Sequence, residues 1–133
     1  AEIEKMASEQ LLQNNHIMLQ LLAKPLVWSI RSEMLRGNLE QVNIFTNELV
    51  KEKNVQFIHI VDSEGNIILS TDKKLEGQTA SGLFEQALIE TDSLTFFSAN
   101  NMLTMAVPVM GYDKRLAVVI IKYTPVRFIP VKM

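Results

Sequence analysis

Hydrophobic and polar positions change their rhythm once along this chain, from a helical period to a strand period near Asn54. Between Glu2 and Arg36, the residues Ile3, Met6, Leu11, Met18, Leu21 and Leu22 recur at helical spacing, broken at Asn14 and Asn15, and predict a long helix over 1–36. Pro25 interrupts its hydrogen bonding and predicts a kink near that point, or the start of a second segment. Gly37 stands where a left-handed glycine would stop the helix. Asn38 is placed to cap a second helix over 38–53, with Gln41 completing an Asn-x-x-Gln capping box. Leu39, Val42, Phe45, Leu49 and Val50 give that helix an apolar face, and Lys51, Glu52, Lys53 and Asn54 close it.

The strand rhythm follows over 55–123. Val55 to Asp62 reads as a first strand, Ser63 to Asn66 as a turn with Gly65 at its left-handed position, and Asn66 to Thr71 as a second strand. A polar loop from Asp72 to Gln78 leads to a short helix over 80–90, with Leu83, Phe84, Ala87 and Leu88 facing a core. Ser93 to Ser98, Met102 to Met110 and Lys114 to Tyr123 complete five strands, joined by turns at Asn100–Asn101 and Gly111–Asp113. Short connections make sequential strands antiparallel. The fifth is apolar from Ala117 to Ile121 and is expected at the centre, buried on both faces. The expectation is one α+β domain over 1–133, an antiparallel five-stranded sheet with helices against it.

Length sharpens the picture. A helix of 35 residues spans roughly 50 Å at about 1.5 Å per residue, whereas a domain of this size is about 36 Å across. One end should therefore protrude, and the early apolar positions Ile3, Met6 and Leu11 are expected to form a stalk that pairs in a homodimer.

Two stretches carry a family resemblance. "IVDSEGNIILSTDKKLEGQ", Ile60 to Gln78, is similar to the hairpin of Cache domains, the PAS-like extracellular sensors of bacterial receptors. "LTMAVPVMGYDKRLAVVIIKY", Leu103 to Tyr123, is similar to their last two strands, with its Val-Pro-Val before the hairpin. The long first helix followed by a second completes the likeness, which covers nearly the whole chain. It implies a PAS-like sheet and an extracytoplasmic place between two membrane helices. It also implies an output through a histidine kinase, a chemotaxis transducer or a nucleotide-cyclase-type module. Ala1 and the tail holding Pro125 and Pro130 would then be cut points near the bilayer. The chain departs from the family's amino-acid-binding members. Trp28 and Arg31 lie three apart on the first helix, but the Tyr and Asp that would complete that constellation are missing. Ser70 and Thr71 stand where some dicarboxylate-binding relatives carry a His-Pro pair. The resemblance leaves the ligand unassigned.

Candidate ligand contacts each have a plainer explanation. His59, mid-strand among Phe57, Ile58, Ile60 and Val61, can meet a carboxylate or respond to pH, or be satisfied by a neighbouring strand. Ser70, Thr71 and Asp72 can hold an anion at a strand end or simply make a turn, and Lys73 and Lys74 can close over it or stay solvated. Phe97, Thr104 and Met105 can line a pocket or pack a core. Trp28 and Arg31 can reach a ligand or be a packed Trp beside a snorkelling Arg. Asp62 is best read as fixing its turn by accepting amides of Glu64 or Gly65.

Composition narrows the classes of function. Hydrophobic residues make up 47% of 133, enough for a core, and a net charge of -2 with no basic block argues against nucleic acid. There are no cysteines and only two histidines, His16 and His59. That removes disulfides and thiolate chemistry and leaves no metal or cofactor expected. No phosphate loop or hydrolase motif occurs, so an enzyme is not expected. The reading is a ligand-sensing input domain that takes a small molecule between the sheet and the Asp72–Gln78 loop. It would signal through its first helix to a membrane reached by flanking helices. The alternatives are a cytosolic profilin-like or roadblock-like scaffold, and a Cache domain with no ligand that acts as a dimerisation spacer.

Overall fold

The first helix ends because glycine lets it. The structure, a computed structural model, describes residues 17, 20, 21, 23–52, 55–99 and 102–123. Helix α1 runs continuously over 23–36 across Pro25, with 17, 20 and 21 also helical. At its end Gly37 takes φ 74°, its N–H donates to Met34 O at 3.0 Å, and Asn38 N–H donates to Glu33 O at 2.8 Å. That pair of bonds is the Schellman stop. Asn38 then turns outward as a cap, its Oδ1 accepting from Gln41 N–H at 3.4 Å, and opens α2, Leu39–Glu52. The expected stalk positions Ile3, Met6, Leu11, Met18 and Leu22, the Asn54 stop, the Asn100–Asn101 turn and the tail after Tyr123 lie outside the described residues.

The strands are β1 (Val55–Asp62), β2 (Ile67–Ser70), β3 (Thr95–Ala99), β4 (Met102–Met110) and β5 (Arg115–Tyr123). They form one antiparallel sheet in the order β2-β1-β5-β4-β3. The fold is α+β with a PAS-like arrangement, and β5 is central. Its apolar run is explained by alternation. Ala117, Val119 and Ile121 face the core under the helices, while Val118 and Ile120 face a second cluster on the other side.

The two faces are covered differently. Ala23, Leu26 and Ile30 of α1 and Val42 of α2 pack on Ile58, Ile60, Met105, Val107 and Tyr123. The opposite face holds a smaller cluster, where Ala80, Leu88 and Ile89 cover Val61, Ile67, Ala106, Val118 and Ile120. A bulge sorts β2 between the two. Ile60 pairs with Leu69 toward the helices, Val61 pairs with Ile67 toward the other side, and the register slips at Ile68.

The Asp62 carboxylate fixes its turn as expected, through the Glu64 amide, and takes the Asn66 amide as well. Asp62 Oδ1 accepts from Glu64 N–H at 3.0 Å and from Asn66 N–H at 2.9 Å, whereas Gly65 N–H donates to the Asp62 carbonyl at 3.1 Å. Gly65 sits at φ 85°, a left-handed backbone that suits glycine. The helix expected over 80–90 shrinks to α3, Gln86–Ile89. Gly82 at φ 87° and a bridge between Ser81 and Phe84 break the helical path, and Leu83 and Ala87 stay exposed. Among the described residues no helix is long and apolar enough to cross a membrane.

Candidate functional site

On the face away from α1 and α2, cross-strand pairing builds two parallel rows of side chains. One row runs Phe97, Thr104, Lys122, Phe57 across β3, β4, β5 and β1. The next runs Thr95, Ala106, Ile120, His59, Ser70. The buried cluster seals the sheet beyond the second row, but the first row stays partly open. Between it and the 82–88 segment lies a cleft of about 370 Å³, lined by Leu83, Phe84, Glu85, Leu88, Phe97, Thr104 and Lys122 among others. Apolar walls with a few convergent polar groups are the usual make-up of a small-molecule site.

Phe84 is the cover of this cleft. Its ring centroid lies 5.0 Å from that of His59, and Lys122 Nζ lies 5.3 Å from it, a cation–π contact. Among the described residues Lys122 makes no ion pair. Phe57 stacks on His59 at 5.9 Å and 21° between ring planes.

Beneath Phe84, His59 is only 1% exposed. Its Nδ1 lies 2.8 Å from Ser70 Oγ, which also accepts from Asp72 N–H at 2.9 Å. The Ser70 hydroxyl can donate to Nδ1 while it accepts from Asp72 N–H, and in that arrangement the ring proton sits on Nε2. Nε2 is buried and, among the described residues, has no hydrogen-bond partner. Burial first, and the Lys122 ammonium second, hold the His59 pKa at about 4, below its ordinary 6.5, while Asp72 opposes them. The ring is therefore neutral at pH 7.

The structure separates the eight sequence candidates. Thr104 and Phe97 line the cleft, and His59 and Ser70 form the buried pair in the adjoining row. Thr71 closes the β1–β2 ladder, its Oγ1 accepting from Ile58 N–H at 3.0 Å. Met105 lies on the helix side of β4, fully buried in the main core. Trp28 is 69% exposed on α1. Arg31, also on α1, donates from Nε to Met110 O at 2.8 Å and lies over the Tyr112 ring. Trp28, Arg31 and Met105 are thus outside the cleft, across the sheet from it.

The cleft also lies elsewhere than expected, beside 82–88 and not beside the Asp72–Gln78 loop. That loop is latched. Lys73 Nζ donates to Asn43 Oδ1 of α2 at 2.6 Å and to Glu76 Oε1 at 2.8 Å, and Glu76 accepts from Ser70 N–H at 3.1 Å. The Lys73 bond draws the Glu76 carboxyl below its ordinary range. Lys122 was missing from the sequence candidates, although it is the one charged residue between Leu116 and Tyr123. A lone cation in an otherwise apolar strand was the signal. Among the described residues no group of three or more His, Asp or Glu could hold a metal ion.

Compared with known proteins, the chain matches no protein-family model and no curated protein.

Proposed function

We propose that this chain is an extracytoplasmic ligand-sensing input domain of a membrane-bound bacterial receptor, a histidine kinase or chemotaxis transducer. In this reading it binds a small metabolite in the sheet cleft and signals as a homodimer through its N-terminal helix. The supporting observation is the cleft, set on the one face of a PAS-like sheet that α1 and α2 leave free.

A route between ligand and helix is built into β5. Lys122 lines the cleft, and its neighbours Ile121 and Tyr123 belong to the core that seats Ala23, Leu26 and Ile30 of α1. A ligand that favours one position of β5 would bias the seat of the helix on the other face. The helix carries a second apolar surface opposite that seat. Ile17, Leu21, Trp28 and Leu35 are all exposed and fall within one narrow arc, with Leu21, Trp28 and Leu35 at heptad spacing. In this reading a second copy covers that stripe.

A thermal-shift screen of the domain against organic acids, amino acids, purines and quaternary amines tests the proposal. A ligand at 100 times its Kd adds about 2.7 kcal/mol, which raises Tm by several degrees in a domain of this size. Stabilisation by one chemical class, lost in Phe97→Asp, supports the sensor. No stabilisation by any class overturns it and leaves the dimerisation spacer.

A further inference from the structure

We infer that Phe84 is a placeholder for an anion, and that the cleft takes a small monocarboxylate with an apolar body, which moves this ring aside to reach Lys122 Nζ and the buried His59 Nε2 behind it, the ring proton resting on that nitrogen. The inference rests on the sensor reading of the same cleft and names its ligand class.

Three observations converge on it. Lys122 is a cation at the cleft wall that makes no ion pair among the described residues and lies over the face of Phe84. A ring face is a weaker partner for an ammonium than a carboxylate oxygen, which accepts a charge-assisted hydrogen bond. The second polar atom, His59 Nε2, is buried with no partner among the described residues and belongs to a ring whose centroid lies 5.0 Å from that of Phe84. A buried polar atom left unpaired is a standing cost, and with the ring proton on Nε2 a ligand oxygen would remove it. The third observation is where the ring sits. Phe84 is half-buried, and it follows Ser81, Gly82 and Leu83, all exposed, with Gly82 at φ 87°.

Charge and shape set the class. Among the described residues the lining holds one cation, Lys122, and one carboxylate, Glu85. A dianion would meet a single positive partner and a like charge, so one negative charge fits and two do not. Thr104 offers a hydroxyl beside Lys122, and Leu83, Leu88 and Phe97 offer an apolar wall for the body.

Isothermal titration of the purified domain with benzoate and isovalerate, their neutral amides, and succinate tests the assignment. Both monocarboxylates are expected to bind. The amides and succinate are expected to bind at least about tenfold more weakly, the worth of one charge-assisted hydrogen bond. Lys122→Met should abolish the preference for acid over amide, and Lys122→Arg should keep it. The His59 ring resonances should shift with benzoate and not with benzamide. Equal binding of acid and amide, undiminished binding in Lys122→Met, or no binding of either monocarboxylate overturns the inference. The sensor reading survives any of these results if another class stabilises the domain in the wider screen.

Discussion

The buried His59 gives this domain a pH-dependent stability whose sign and size follow from its surroundings. In the unfolded chain the imidazole takes a proton near pH 6.5, whereas in the folded domain burial and Lys122 hold it unprotonated down to about 4. Between those values the unfolded state binds more protons, so stability is complete above pH 6.5, falls with pH, and levels off below about 4 as far as this residue is concerned. At about 1.4 kcal/mol per pKa unit, the gap from 6.5 to about 4 amounts to about 3 kcal/mol. That is a large part of a stability of about 5–15 kcal/mol. The groups facing the ring are Lys122 on β5, Asp72 in the loop after β2, and the Ser70 hydroxyl. Urea denaturation at a series of pH values from 7 to 4 reads the effect, with His59→Phe as the reference that keeps the ring shape without a titrating group. Carboxylates titrate in both proteins, so the difference between the two curves isolates His59. The wild type should lose about 3 kcal/mol relative to the variant over this range, a midpoint change of roughly 1–3 M urea. Parallel curves would refute the reasoning and place His59 in contact with solvent.

Two further perturbations probe different parts of the molecule. Ser70→Ala strands both His59 Nδ1 and the Asp72 N–H inside the protein, and chemical denaturation should show a loss of about 2–4 kcal/mol. A paired Leu21→Glu and Trp28→Glu change on exposed positions should leave the monomer's Tm nearly unchanged and abolish self-association in sedimentation, if α1 pairs with a second copy.

Most of the sheet was legible because its signals are local. The alternation in β1, the Asp62–Gly65 turn and the Gly37 stop are each fixed by residues within a few positions of one another. The central place of β5 followed from a run apolar on both faces. The short helix was misjudged in extent because Leu83, Phe84, Ala87 and Leu88 copy helical spacing, while the φ of Gly82, which breaks it, is not written in that pattern. The candidate site was half legible. His59, Ser70, Phe97 and Thr104 share a face, yet Thr104 and Met105 are neighbours in sequence that strand alternation sends to opposite sides. Nothing local says which side is covered by helices. Trp28 and Arg31 were grouped with the strand candidates by resemblance, and only the packing of Ala23, Leu26 and Ile30 shows that α1 lies across the sheet from the cleft.

The most direct test of the central claim is an NMR titration of the isotope-labelled domain with the stabilising class from the thermal screen. The expected result is a set of saturable shift changes centred on Gly82 to Leu88, Phe97, Thr104 and Lys122, with weaker changes at Ile121, Tyr123 and the buried face of α1. Changes confined to Trp28, Arg31 and the helix side, or no saturable change at the cleft, would contradict it.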